Sequence, residues 1–404
     1  MYREEIERYI DSHRSEMIED ICTLCRINSE KTAYVEGKPF GEGNFAALQT
    51  ALSMAERYGF SIHNYDNYVG TADLNDKEKQ LDILAHLDVV PAGEGWTVTE
   101  PYAPLEKDGR LYGRGTADDK GPAVAALYAM RAVKELNIPL KKNVRLILGT
   151  DEECGSSDIA VYYDREEEAP MTFSPDASFP VTNTEKGRLP GQFSASFQPS
   201  GELPKLVSLE AGTKVNVVPG KAKAVLKGLT LETLETAAGA AEKETGIQFC
   251  FEPDLDQITV VAEGAGAHAS TPQEGKNALT GLLAFLVQLP LADCGQLTAL
   301  KALARLIPHG DTEGKALGVA MADEQAGALT LAFSMLTVDE GHLEGMFDSR
   351  CPVCANEDNV LKVIREKMAA QGLELTNQSM TPPHHVDGNS HFVKTLNRVY
   401  EEYT

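Results

Sequence analysis

Two apolar runs, Leu-Asp-Ile-Leu-Ala-His at 81–86 and Val-Arg-Leu-Ile-Leu-Gly at 144–149, flank a helical stretch at 122–136 opened by Gly121-Pro122. Strand, crossover helix and strand form the unit of a parallel sheet, and near-continuous apolar strands imply a sheet covered by helices on both faces. Ligands of such sheets gather beyond the carboxyl ends of the strands. The polar residues of interest should therefore lie just past these runs, and they do. Upstream, residues 3–26 and 44–58 carry apolar residues at helical spacing, the second stretch ending at Gly59. Beyond Gly187 the pattern changes to short alternating strands and separate helices, near 231–243 and 359–371. This is the texture of an α+β insert. The acidic run 164–168 reads as a solvated face.

His86-Leu87-Asp88 closes the first run, and the period of two puts His86 and Asp88 on one side of an extended chain. An imidazole beside a carboxylate suits a metal ligand and its orienting partner, although alone it better suits a hydrogen-bonded histidine at a strand end. Gly113-Arg114-Gly115-Thr116-Ala117-Asp118-Asp119-Lys120-Gly121 precedes the crossover helix. Two adjacent acids there are costly without a cation nearby. Thr150-Asp151-Glu152-Glu153-Cys154-Gly155 follows the second run and aims three carboxylates at the same rim; Ser174-Pro175-Asp176 follows the short apolar stretch 171–173. One histidine and several carboxylates from successive strand ends form a ligand set for two divalent ions, zinc first and manganese second.

Charge narrows the partners. Lys and Arg number 37 against 61 Asp and Glu, a formal net charge of −24, which disfavours nucleic acid or an anionic membrane surface. The first twenty residues are thick with charge, and no apolar run approaches the roughly eighteen residues that a membrane span needs. The expectation is a cytoplasmic protein. Seven cysteines at irregular intervals fit reduced thiols; Cys22 with Cys25 and Cys351 with Cys354 have Cys-x-x-Cys spacing, but burial on an apolar helix face accounts for the first pair.

Together these motifs resemble the dinuclear metallopeptidase family of aminoacylase, desuccinylase and dipeptidase type, closest to peptidase V, the Xaa-His or carnosinase-like dipeptidases. The resemblance runs from Pro39-Phe40-Gly41-Glu42-Gly43 to the final helix. It implies an α/β zinc-peptidase-like catalytic domain, residues 1–186 and 381–404, with a central mixed, mostly parallel sheet, and an inserted α+β lid domain, residues 187–380. Hinges are expected near Gly187 and Thr381. It further implies that His86 and Asp176 hold one metal, Asp118 bridges both and Glu153 binds the second. Glu152 is then the general base acting on a metal-bridging water, and Asp88 the partner of His86. The Asp118-Asp119 peptide is expected to be cis. Asn216 in Asn-Val-Val-Pro, His268 in Gly-Ala-His-Ala-Ser-Thr-Pro and Arg350 in Asp-Ser-Arg-Cys-Pro match substrate-binding positions of the lid. Small peptides, dipeptides above all, are the implied substrates, and a monomer the implied state.

Family members complete the second metal site with a histidine in a glycine-rich segment near the carboxyl terminus, which does not appear before Thr404. The expectation is a truncated chain whose activity is in doubt. His384, His385 and His391 are candidate substitutes, placed poorly in a Pro-rich connection and at a helix start. Two rival functions stay open: an N-acyl-amino-acid deacylase or desuccinylase, since shared ligands do not read the substrate, and an inactive or binding-only homologue.

Overall fold

The computed structural model describes residues 2–404. The chain divides into two units, residues 1–181 and 182–404.

The first unit opens with helices α1 (Arg3–Cys25) and α2 (Glu42–Arg57), followed by strands β1 (Ser61–Tyr65), β2 (Val69–Asp73) and β3 (Lys79–His86). A small hairpin, β4 (Leu105–Lys107) and β5 (Arg110–Tyr112), leads to helix α3 (Lys120–Glu135), strand β6 (Asn143–Gly149), helix α4 (Ser157–Tyr163) and strand β7 (Met171–Phe173). The sheet order is β1-β2-β6-β3-β7. β3 runs parallel to β6 and β7, while β2 is antiparallel to β6 and β1. The crossover helix buries Ala123, Val124, Leu127, Tyr128 and Met130 against this sheet's core, which also takes Leu24, Cys25, Leu48 and Leu52 from the first two helices. Burial of each such large side chain is worth about 1.5–3 kcal/mol. Cys22 and Cys25 are both buried on α1.

Gly121 in the first turn of α3 is required sterically. A Cβ there would lie 2.0 Å from the Thr116 carbonyl oxygen, because the preceding loop folds back and Gly121 N–H donates to Gly115 at 3.1 Å. The helix can thus begin directly beneath Asp118 and Asp119.

The acidic run 164–168 departs from its expected solvated character at Glu166. Arg145, largely buried in β6, needs carboxylate partners, and takes Asp73 at 2.9 Å and Glu166 at 2.9 Å; Glu166 also accepts from the Tyr65 hydroxyl at 2.8 Å.

The second unit is built on an eight-stranded antiparallel sheet, in the order Gln248–Asp254, Gln257–Glu263, Lys221–Lys227, Lys205–Ala211, Thr330–Val338, His342–Cys351, Gly187–Ser196, Glu374–Leu375. Burial alternates along Lys221–Lys227 and Gly187–Ser196, so one sheet face packs on helices while the other is more open. Helices Leu231–Thr245, Ala278–Leu286 and Gly295–Leu306 supply Leu234, Leu282, Leu283, Leu300 and Leu303 to that core. Within this unit His384–His385 pairs with Thr184–Glu185. The final helix, His391–Glu401, fully buries only Val393 of its expected apolar side. Among the described residues no helix is long and apolar enough to cross a membrane.

Candidate metal centre

The parallel register of β3 with its neighbours decides where the chemistry collects. His86 sits opposite Gly149, and Ile83 opposite Phe173, so all three strands end at one rim. His86 closes β3, residues 150–156 leave β6, residues 174–176 leave β7, and Asp118 lies just before α3.

The imidazole of His86 is almost fully buried, with its Nε2 edge toward the carboxylates. Nε2 lies 3.1 Å from Asp118 Oδ1, 3.4 Å from Asp176 Oδ2 and 3.9 Å from Glu152 Oε2. Ligands about 2.1 Å from a tetrahedral ion stand about 3.4 Å apart, so the first two distances suit a shared divalent cation. The donor atoms of His86, Asp118 and Asp176 all fall within 4.8 Å of one another, as do those of His86, Glu152 and Glu153. The chemistry of the donor set therefore fits a metal. Neither cluster, among the described residues, contains a cysteine, His384, His385 or His391.

Electrostatics agrees. Burial pulls the His86 imidazole down, yet the Asp88 hydrogen bond and the charges of Asp88, Asp119 and Glu152 more than reverse this, to about 10. Burial, and then the charge of Asp118, push Glu153 up to about 6. Burial also raises Glu152, with Asp176, Asp88 and Asp118 adding to the rise. Crowded carboxylates around a proton-holding imidazole are the arrangement that a divalent cation relieves.

The supporting residues have specific tasks. His86 Nδ1 faces the Asp88 backbone oxygen at 3.1 Å and its carboxylate at 3.3 Å. The same carboxylate accepts the backbone N–H groups of Glu152 at 3.1 Å and Glu153 at 3.0 Å. The Asp118-Asp119 peptide is cis. Asp119, wholly buried, accepts the His86 N–H at 3.0 Å, and burial pushes it up to about 7.

Asp151 does not share the rim with its two neighbours: it is wholly buried and tied to Lys31 at 2.6 Å and to Ser157 at 2.5 Å, because consecutive side chains of the tight turn point apart. Asp119 and Asp158 are positioning groups beyond those expected from the motifs. Asp158, wholly buried, accepts N–H groups of Thr150, Asp151 and Ile159 and so fixes the turn that carries Glu152 and Glu153. The adjacent acids of 118–119 signalled Asp119; nothing in the sequence signalled Asp158.

The three remaining predicted residues lie in the second unit. Strands Val217–Val218 and Ala267–His268 pair antiparallel, and Ala269 N–H donates to Asn216 at 3.0 Å, which brings Asn216 and His268 together. His268 Nδ1 is engaged by Ser270, whose hydroxyl lies at 2.6 Å and whose backbone N–H lies at 3.2 Å. Val218 and Ala269 pack on Ala332, which stands opposite Asp348 in the sheet, two residues before Arg350.

The model of the Peptidase family M20/M25/M40 matches residues 83–404. The chain is 36% identical to the putative dipeptidase YtjP of Bacillus subtilis (strain 168), over 96% of this chain and 84% of the relative. It is 34% identical to the Beta-Ala-Xaa dipeptidase of Lactobacillus delbrueckii subsp. lactis, over 98% and 84%. Among solved structures it is similar in fold to human carnosine dipeptidase 1, with a TM-score of 0.54 at 17% identity, covering 99% of this chain and 85% of that one.

Proposed function

The chain belongs to the peptidase family M20/M25/M40, hydrolases of peptide bonds that use divalent metal ions, and from that premise we propose that it cleaves dipeptides with Glu152 as the general base. The observation that carries this reading is the convergence of Asp118, Asp176 and Glu152 on His86 Nε2 at 3.1, 3.4 and 3.9 Å. His86, Asp118 and Asp176 would hold one cation, and Asp118 with Glu153 would hold a second, zinc being the first choice and manganese the next. Bound there, the ions supply Lewis acidity toward the scissile carbonyl and lower the pKa of water.

The chain's own groups do the rest. Glu152 is half-exposed at the rim, and its raised pKa suits a base that takes a proton from the attacking water and returns it to the leaving amine. Asp88 orients His86 and holds the backbone beneath Glu152. The Nε2 hydrogen of His268 would donate to the developing oxyanion, Asn216 would assist it, and the Arg350 guanidinium would bind the substrate's carboxylate. Residues 187–380 would act as the substrate-binding lid and residues 381–404 would return to the catalytic domain; a monomer in the cytoplasm completes the reading.

The test is metal analysis of the chain after zinc or manganese loading, with a dipeptide hydrolysis assay, on the native sequence and on Glu152→Gln. The variant should keep its metal and lose about 100-fold or more of its turnover. Near-normal turnover would remove Glu152 from the role of base.

A further inference from the structure

Arg350 has a neighbour that the metal chemistry does not use. In the antiparallel register of the second unit, Arg350 of strand His342–Cys351 stands directly opposite Arg188 of strand Gly187–Ser196. Like charges facing each other across a strand pair repel, so the placement needs a counter-charge. Asp348 supplies it. Two residues before Arg350 on the same face of the strand, its side chain is wholly buried. Its Oδ2 accepts from Arg350 Nε at 3.1 Å and Nη2 at 2.8 Å, and its Oδ1 lies 3.7 Å from Arg188 Nε, beyond hydrogen-bond reach.

One carboxylate between two guanidiniums leaves a net charge of about +1 at a part-exposed place: the Arg188 side chain is 42% exposed and that of Arg350 23%. The hydrogen bonding is unfinished as well. Arg188 Nε, Asp348 Oδ1 and the hydroxyl of Thr330, which stands opposite Arg350 on the other side, are buried without hydrogen-bond partners among the described residues. Thr381 bridges to Arg188 and extends the row to Thr330, Arg350, Arg188, Thr381. A row of hydroxyls and forked donors with one spare positive charge is complementary to a carboxylate.

We propose that Arg188 is a second carboxylate-binding residue beside Arg350, that the two together set a requirement for a free terminal carboxylate on the substrate, and that Asp348 is the buried residue positioning both. The inference rests on the assignment of Arg350 to the substrate's carboxylate. Arg188 adds charge and planar donors to that site; Asp348 fixes the Arg350 fork and keeps the two cations from driving each other apart.

Equilibrium binding of alanyl-alanine and of alanyl-alanine amide to the full chain, followed by NMR titration in the presence of EDTA, tests this without turnover. The acid should bind about tenfold or more tighter than the amide. Arg350→Met should bring the ratio close to one. Arg188→Met should lower it severalfold with amide binding unchanged, Arg188→Lys should restore most of it, and Asp348→Asn should lower it too. Full retention of the ratio in Arg188→Met, beside its loss in Arg350→Met, overturns the role of Arg188 alone. Equal weakening of acid and amide by Arg188→Met, without rescue by Lys, means a structural role and also overturns it. A wild-type chain that does not distinguish acid from amide, or a ratio untouched by Arg350→Met, removes the underlying assignment and the inference with it.

Discussion

Asp88 Oδ1 accepts the backbone N–H of Glu152 at 3.1 Å, so the residue that orients the buried histidine also holds the turn beneath the proposed base. Its other oxygen holds Glu153 N–H at 3.0 Å. A single carboxylate thereby links the end of β3 to the loop after β6, and any displacement of it moves the proposed ligand His86 and the proposed base Glu152 together.

Asp88→Asn tests that linkage. The amide keeps the shape but offers one acceptor where two N–H groups need one each. Such partners of metal ligands typically matter by about 10–100-fold, and loss of that size is expected in both metal affinity and turnover. Metal titration and a dipeptide assay on the same samples check it; unchanged affinity would mean that the Asp88 backbone oxygen, 3.1 Å from His86 Nδ1, orients the ring without the carboxylate.

Asp158, which is not one of the proposed metal ligands, gives a pH prediction for the metal-free chain. Burial raises its pKa from 3.8 to about 6, against the lowering effect of its bonds from Thr150 and Ile159. Between those values the folded chain keeps a proton that the unfolded chain has lost, so stability falls as pH rises from about 4 to about 6 and is regained on acidification. The size is on the order of 3 kcal/mol. Denaturant midpoints of Asp158→Asn should show a shallower slope over that window than the native chain. Equal slopes would assign the pH dependence elsewhere.

Much of the candidate site is legible in the sequence because parallel strands place their ends predictably. The apolar runs 81–86 and 144–149 fall within β3 and β6, and His86, Glu152 and Glu153 follow from what comes next. The turns were less legible, since the direction of a side chain in a tight turn depends on hydrogen bonds that no periodicity encodes. Asp151 and Glu152 are neighbours in sequence, yet one is buried against Lys31 and the other half-exposed at the rim. Arg188 was invisible for a related reason: it matters only through the register that sets it opposite Arg350.

His86 predicts a proton count. Without a cation its pKa of about 10, against an ordinary 6.5, means that the imidazolium stabilises the fold, fully below pH 6.5 and no longer once pH has risen through about 10. A metal ligand must be neutral, so adding manganese to the metal-free chain at pH 8.5 should release about one proton per first ion bound. An ordinary histidine would release almost none at that pH. Titration in weak buffer reads the number; the release should vanish in His86→Asn and fade above about pH 10.

Glu153 decides whether the two proposed cations are equivalent. The cluster of His86, Asp118 and Asp176 is closed by three donors, whereas no cluster of three among the described residues joins Glu153 to Asp118; its own group runs through His86 and Glu152. A site with fewer protein donors binds less tightly, because each charged ligand contributes to affinity and the remaining positions fall to water. The chain should therefore take up one ion tightly and a second more weakly. Glu153→Ala should abolish the weaker event and leave the tight one within about threefold, whereas Asp176→Ala should weaken the tight one by about 10-fold or more. Calorimetric titration with zinc separates the two events. Equal loss of both in Glu153→Ala would mean that Glu153 is a ligand of the first ion, and that the division of these carboxylates between two cations is wrong.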